Sequence, residues 1–414
     1  MGALYLLYTV PSSRFMKDGR VSALAAEVNT TAPKRQTDVA RAVTDGMDDY
    51  DRPLFFHMME YAAAAERDVV DMVSGNPDWE APAAVRSGLA MYADADVERF
   101  QYPPSEGLRD LREEIAARRH VDVERVIVTN GAGEANYLAT ACALEAADGD
   151  EVLLTDPVYP YYQGRAKMLG ATPRFVEAEP DGTLDPAAVR AATSDDTAAI
   201  VVNSPNNPTG AVYGRELKRE LVDVAETHDA LLVSDEVYDH FVFEDGAFAT
   251  ALEFDSERVA VTNSFSKSMA ITGFRVGYVV LPEWLLEAAR TRHMLVNVAC
   301  SRPAQRAVLT ALRETPADYY EGTRQLLTDR IDAFCAALEA AGAEYTRPRG
   351  GFYVMARFDG YPGTLDNAEQ LVDEAGVAGM PGAAFGDSRE AWLRFALVTP
   401  RAEEAADRLT SFFA

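Results

Sequence analysis

The chain holds only five lysines against 34 arginines. One of the five lies in Ser264-Phe-Ser-Lys267-Ser-Met-Ala-Ile-Thr-Gly-Phe-Arg275. That segment sets an amine just after two hydroxyls and eight residues before a guanidinium. An amine condenses with an aldehyde, and hydroxyls with a guanidinium are what a phosphate monoester needs. The combination suggests a site for a phosphorylated aldehyde, pyridoxal 5′-phosphate (PLP). By itself S-x-S-K is more often a surface lysine in a serine-rich loop, so the reading depends on the remaining motifs.

Three further segments carry usable chemistry. Thr129-Asn-Gly131-Ala132-Gly133-Glu134-Ala135 reads as a turn opening a helix, where free backbone amides and close-approaching glycines can cradle a phosphate. Asn203-Ser-Pro205-Asn206-Asn207-Pro208-Thr-Gly210 is more specific. Its prolines and glycine force a tight turn, and an ordinary turn does not account for the doubled Asn. In Ser234-Asp235-Glu236-Val-Tyr238 a carboxylate could pair with a protonated ring nitrogen, and Tyr238 could donate to a phenolate oxygen of the same ring. In isolation D-E-x-Y is common on surfaces.

The elements that must position these groups are short β-branched runs alternating with helical stretches, the pattern of an α/β sheet. Expected strands are 125–129, 151–155, 174–176, 199–203, 230–234, 258–262 and 276–281, with helical spacing over 184–193 and 215–228. Each motif follows one of these strands, as expected of a mostly parallel sheet with ligands at its carboxyl edge. After about residue 283 the chain reads as helical through Leu338. A shorter strand-like set follows: 351–356, the loop 381–386 and 392–398. The expected organisation is a large PLP-binding domain over 91–299, a smaller α/β domain from 47–90 and 300–414, and an N-terminal extension over 1–46.

At 414 residues and 48% apolar, without a run of about 20 apolar residues, the chain suits a two-domain globular protein with no membrane span. Cys142, Cys300 and Cys335 show no C-x-x-C spacing, which points to neither a disulfide framework nor a metal site and suggests a reducing, cytoplasmic setting. The net charge of −27 makes nucleic acid and anionic membrane poor partners. Acidity with scarce lysine fits a halophilic host, where concentrated salt screens self-repulsion. Residues 1–46 carry six Lys/Arg and four Asp/Glu, leaving 33 and 62 for the rest. That stretch reads as dispensable, with Met47 a natural initiator.

The motifs N-G-A-G-E-A, N-N-P-T-G, S-D-E-V-Y, S-F-S-K and G-F-R occur in this order. Together they resemble the class I/II aminotransferase family of PLP enzymes with fold type I. The resemblance covers roughly residue 50 to the C-terminus and extends to Ser74-Gly75-Asn-Pro-Asp-Trp, Tyr102-Pro-Pro-Ser-Glu-Gly107, Asp156-Pro-Val-Tyr159, Gly350-Gly-Phe and Leu393-Arg394-Phe-Ala. It implies that Lys267 bonds covalently to PLP and then moves the substrate Cα proton, and that Asp235 pairs with the ring nitrogen. Asn207 and Tyr238 would bond the ring 3-oxygen, and Tyr159 would stack on the ring. Ala132 and Gly133 amides, Ser264, Ser266 and Arg275 would hold the phosphate. Tyr102 would reach the phosphate of a neighbouring subunit, which implies a homodimer with shared active sites. Arg394 would grip the substrate carboxylate, together with Asn207, under a loop containing Gly75. Many members carry a hydroxyl residue where this chain has Gly133, which removes one phosphate donor and leaves the backbone amides.

The activity so implied moves an amino group from an L-amino acid to a 2-oxo acid by ping-pong kinetics. A carbon–sulfur β-lyase on the same scaffold is the alternative. A PLP-sensing regulator would need a DNA-binding module that residues 1–46 do not resemble. Arg394 requires a carboxylate and leaves the substrate side chain open among aromatic, branched and acidic amino acids and histidinol phosphate, with 2-oxoglutarate the default acceptor.

Overall fold

The computed structural model describes residues 54–414; the extension over 1–46 and Met47 lie outside them. The described residues lie within one compact unit.

Seven strands build the main sheet: β1 Val126–Thr129, β2 Glu151–Asp156, β3 Thr172–Glu177, β4 Thr197–Asn203, β5 Leu231–Asp235, β6 Val259–Ser264 and β7 Gly277–Val280. Their order across the sheet is β1-β7-β6-β5-β4-β2-β3. The apolar runs of β1, β4, β5, β6 and β7 are buried along their length, as strands covered on both faces must be. The helices α1 Ala132–Ala146 and α2 Pro160–Met168 follow β1 and β2 directly. Alternate strand residues feed two cores, one with Ala135, Ala139 and Tyr162 against Leu154 and Val233, the other with Leu221 and Val224 against Ile200 and Leu232.

All strand pairs are parallel except those of β7, which runs antiparallel to both β1 and β6. That exception was not legible as a direction in the sequence, and it serves the site. Twelve residues separate Ser264 from Gly277, the lower limit for a helical crossover, and they form only the short helix Phe265–Ser268 and the turn Thr272–Phe274. The chain therefore turns back at once, and Gly277 pairs with both Ser264 and Thr129. A parallel β7 would have carried Arg275 to the far edge.

A second, smaller sheet is built of β8 Glu344–Thr346, β9 Tyr353–Arg357, β10 Met380–Pro381 and β11 Leu393–Ala396, in the order β10-β11-β9-β8. Its core joins Val354, Leu393 and Phe395 to Met58, Met72, Phe334, Leu371 and Leu409. The helices Ala83–Ala93 and Arg302–Glu314 pack instead on the sheet side, with Val85, Ala304, Ala307 and Val308 against Leu111, Val126 and Val128. The stretches 54–93 and 302–409 thus each contribute to both cores. Among the described residues no helix is long and apolar enough to cross a membrane.

Candidate active site

The carboxyl edge of the main sheet and residues of the second sheet line a cavity of about 380 Å³. Register explains the convergence. Asn203 pairs with Asp235 at the ends of β4 and β5, and Asp235 faces Thr262 on β6. The cavity is lined by Gly75, Ala132, Gly133, Tyr159, Asn207, Asp235, Tyr238, Ser264, Ser266, Lys267, Arg275 and Arg394. Of the residues singled out in the sequence, only Tyr102 stands apart, 81% exposed.

Asp235 is 3% exposed. Its Oδ2 accepts from Asn136 Nδ2 (2.7 Å) and the Tyr162 hydroxyl (2.6 Å), and its Oδ1 accepts from the Val237 amide (3.1 Å). Burial raises its pKa, and these hydrogen bonds with the field of Arg165 offset the rise only in part. No Lys or Arg forms an ion pair with it among the described residues. A buried carboxylate held by neutral donors is a receptor for a cation such as a ring N–H⁺.

Lys267 lies in the single turn Phe265–Ser268 after β6. Its Nζ donates to the Gly75 carbonyl (2.6 Å). Burial, aided by the positive charges of Arg394 and Arg275, lowers its pKa to about 8, so the amine gives up its proton far more readily than an ordinary lysine. Gly75 is required there, because a Cβ would collide with the Tyr353 hydroxyl.

Arg394, from the middle of the small sheet, is buried. Nη1 donates to Asn207 Oδ1 (3.2 Å) and Nη2 to the Val73 carbonyl, while Nε has no partner. The rings of Tyr353 and Phe385 pack on it, 4.5 and 4.9 Å from Cζ. With Asn207 Oδ1 engaged, that amide nitrogen is left to donate. Tyr238 and Tyr353 share a hydrogen bond of 3.0 Å. Burial, then each other's proximity, keeps the Tyr238 phenol protonated and able to donate.

The phosphate-side residues gather around the start of α1. Gly131, at φ +78°, admits the Arg275 guanidinium where a side chain would sit. A Cβ on Gly277 would lie 2.8 Å from the Ala132 amide nitrogen. Ser264 and Ser266 are buried at the same edge, and Arg275 is fixed by the Thr272 (2.9 Å) and Asn130 (3.1 Å) carbonyls. Behind the cradle Glu134 accepts from the Asn130 amide (2.6 Å) and contacts His293 Nδ1 (2.5 Å). His293 Nε2 meets the Ser105 carbonyl (2.9 Å), so both ring nitrogens face oxygen atoms. Burial opposes a positive charge on the ring, but Glu134 and Ser105 outweigh it and raise the His293 pKa.

Sequence reasoning missed Asn136, Tyr162, Arg165 and Tyr353, which also line the cavity. Helical spacing could have found three of them. Asn136 lies four residues after Ala132, Tyr162 three after Tyr159, and Arg165 three after Tyr162.

The donor set fits PLP: a nucleophilic amine, a buried carboxylate lacking a cation, a helix start flanked by hydroxyls and a guanidinium, and a second guanidinium with an open nitrogen. Comparison with known proteins agrees. The profile of the family "Aminotransferase class I and II" matches residues 67–409. An aspartate aminotransferase of Pyrococcus horikoshii is 31% identical over 366 residues, 84% of this chain and 91% of its own. An aspartate/prephenate aminotransferase of Thermus thermophilus is 35% identical over 360 residues, 81% of this chain and 92% of its own. The solved structure of a Thermus thermophilus aspartate aminotransferase double mutant superposes with a TM-score of 0.82 at 30% identity, covering 89% of this chain and 98% of that one. The chain is a PLP-dependent aminotransferase of the class I and II family, with fold type I.

Proposed function

We propose that this aminotransferase takes the amino group of an acidic amino acid, aspartate first, and passes it to 2-oxoglutarate at the cavity between the sheet edge and Arg394. The observation that carries the reading is the opposition of Lys267, with its lowered pKa, and Arg394, with its unpartnered Nε, across one cavity. The names of the relatives at about 30% identity favour the acidic donor.

PLP, when bound, supplies the electron sink that makes the substrate Cα proton removable. The chain's own residues do the rest. Arg394 takes the substrate carboxylate in a bidentate fork, with Asn207 fixing the guanidinium. That anchor turns the Cα–H towards Lys267 Nζ, which accepts the proton as a neutral amine and returns it to the opposite end of the reacting system. Asp235, held by Tyr162 and Asn136, would carry the positive charge of the ring nitrogen. Tyr238 would donate to the ring oxygen alongside Asn207, and Tyr159 would cover the ring face. Ala132, Gly133, Ser264, Ser266 and Arg275 would anchor the phosphate.

The protein is proposed to act as a homodimer in the cytoplasm of a halophile. Tyr102 is exposed, as are its neighbours Val97 and Phe100. The His293–Ser105 bond links this segment to the helix end bearing exposed Leu295, Val296 and Val298. Clustered apolar exposure of this kind marks an interface, from which Tyr102 could reach a partner's site. The net charge of −27 supports the salt requirement, and the three buried free cysteines suit a reducing compartment.

Single-turnover titration of the holoenzyme with a panel of amino acids tests the reading. Aspartate should convert the bound cofactor to its amine form and yield oxaloacetate, with 2-oxoglutarate reversing the change. Faster conversion by an aromatic or branched donor would overturn the acidic preference, and pyruvate released from a sulfur amino acid would point to β-elimination.

A further inference from the structure

Gly133 is the second residue of α1, and a side chain from another helix approaches the space beside it. A Cβ at Gly133 would lie 3.4 Å from Arg165 Nη2. Arg165 belongs to α2, whose first turn follows Tyr159. We infer that Arg165 is a second guanidinium contact for the cofactor phosphate, standing on the Gly133 side of the α1 start as Arg275 stands on the Gly131 side.

Two observations carry this independently. The first is placement. The α1 start is flanked by two glycines, and each lies against a guanidinium: Arg275 at Gly131 and Arg165 at Gly133. The second is an unmet valence. Two of the buried side-chain nitrogens lacking a partner among the described residues belong to cavity-lining groups, Arg394 Nε and Arg165 Nη1. Arg394 has Asn207 and Val73 for its other nitrogens. Arg165 forms no ion pair among the described residues and only overlies the Tyr162 ring at 5.7 Å. In a chain with 66 acidic groups against 39 basic ones, several sheltered arginines find carboxylates, Arg112 with Glu124, Arg119 with Asp239 and Arg330 with Asp78, and Arg125, Arg302 and Arg389 donate to backbone carbonyls. An arginine left without one beside a phosphate cradle is matched by a dianionic phosphate monoester, which takes charge-assisted, bidentate bonds from guanidinium. Helix α2 and its N-cap then serve the cofactor three times: Tyr159 at the cap for the ring face, Tyr162 for Asp235 and Arg165 for the phosphate.

The inference rests on the phosphate lying at the α1 start, and phosphate-free pyridoxal separates the two claims. PLP and pyridoxal are titrated into the full chain freed of cofactor, for wild type, Arg165→Gln and Arg165→Lys, with folding followed by circular dichroism. Loss of a charge-assisted contact should weaken PLP binding by roughly 10- to 100-fold and leave pyridoxal binding within about twofold, with Arg165→Lys recovering part of the loss. Inorganic phosphate should compete with PLP less effectively in Arg165→Gln than in wild type, which tests the contact in the same folded protein. Equal weakening for PLP and pyridoxal would make Arg165 a packing residue and overturn the inference. Unchanged PLP affinity with selective loss of aspartate turnover would assign Arg165 to the substrate and overturn it as well. Wild type that binds pyridoxal as tightly as PLP would remove the phosphate site itself.

Discussion

Asp235 and Glu236 are consecutive carboxylates at one strand end, 3% and 0% exposed, yet their surroundings differ in kind. Glu236 meets Lys218 Nζ at 3.2 Å and Arg119 at 3.8 Å. It also accepts from Ser234 (3.1 Å), Thr250 (2.7 Å) and the Ala251 amide (2.9 Å). Asp235 has three neutral donors and no cation in contact. Alternation along a strand sends neighbouring side chains to opposite faces, so one carboxylate enters a closed ion network and the other the cavity. Asp239, four residues on, repeats the first pattern. Although burial works against its charge, Arg119 and His240 hold its pKa well below the usual range. Glu236 and Asp239 are thus compensated by cations of the protein itself, whereas Asp235 at the cavity is not. Arg394 and Arg165, each with an open nitrogen, belong with Asp235.

That contrast can be broken by substitution. The largest effect is expected at Lys267, which no neighbour can replace as base. Lys267→Ala should reduce turnover by roughly 10⁴-fold or more with an unchanged unfolding midpoint, and retained transamination would remove Lys267 from its role. The two neighbours come next and should separate rate from stability. Asp235→Asn should cost about 10³-fold in kcat, since the ring nitrogen loses its counter-charge, while the fold persists. Glu236→Gln should do the reverse, lowering stability by about 3–5 kcal/mol because Lys218 is left buried without its counter-ion, with kcat per folded molecule near that of wild type. Denaturant titration and steady-state kinetics on both variants read this out; matching profiles would erase the distinction.

Arg394→Ala should raise KM for amino and oxo acids by about 10²-fold and change kcat less, so an unchanged KM would exclude it as the carboxylate anchor. The smallest effect concerns protonation. Burial and two nearby guanidiniums lower the Lys267 pKa from 10.5 to about 8, so its neutral fraction grows about tenfold per pH unit below that value. The rate at which cofactor-free protein combines with pyridoxal should climb through pH 6–8 and level off above about 8. A rise continuing towards 10.5 would mean that the amine is not perturbed.

Much of this was legible beforehand because motif and element coincide. Each β-branched run became a strand, and Asn203, Asp235 and Ser264 end theirs because turn and helix-start residues follow immediately. The residues that escaped notice depend on packing across elements. Asn136 and Tyr162 matter only because two helices lean on the same strand end, and Tyr353 because β9 lies beside β11 with Val73 and Gly75 folded over both. The direction of β7 rested on a twelve-residue connection, whose length admits either a crossover or an immediate return and whose composition gives no orientation. Arg165 had no motif of its own, and the glycine it approaches was noticed only for the side chain it lacks.

The most direct test is borohydride reduction of the holoenzyme followed by proteolysis and mass spectrometry. The cofactor should be found on the peptide containing Lys267 and on no other lysine, in stoichiometric amount. Attachment at Lys167 or Lys218, or no attachment in a protein that transaminates, would contradict the assignment of this cavity as the site of chemistry.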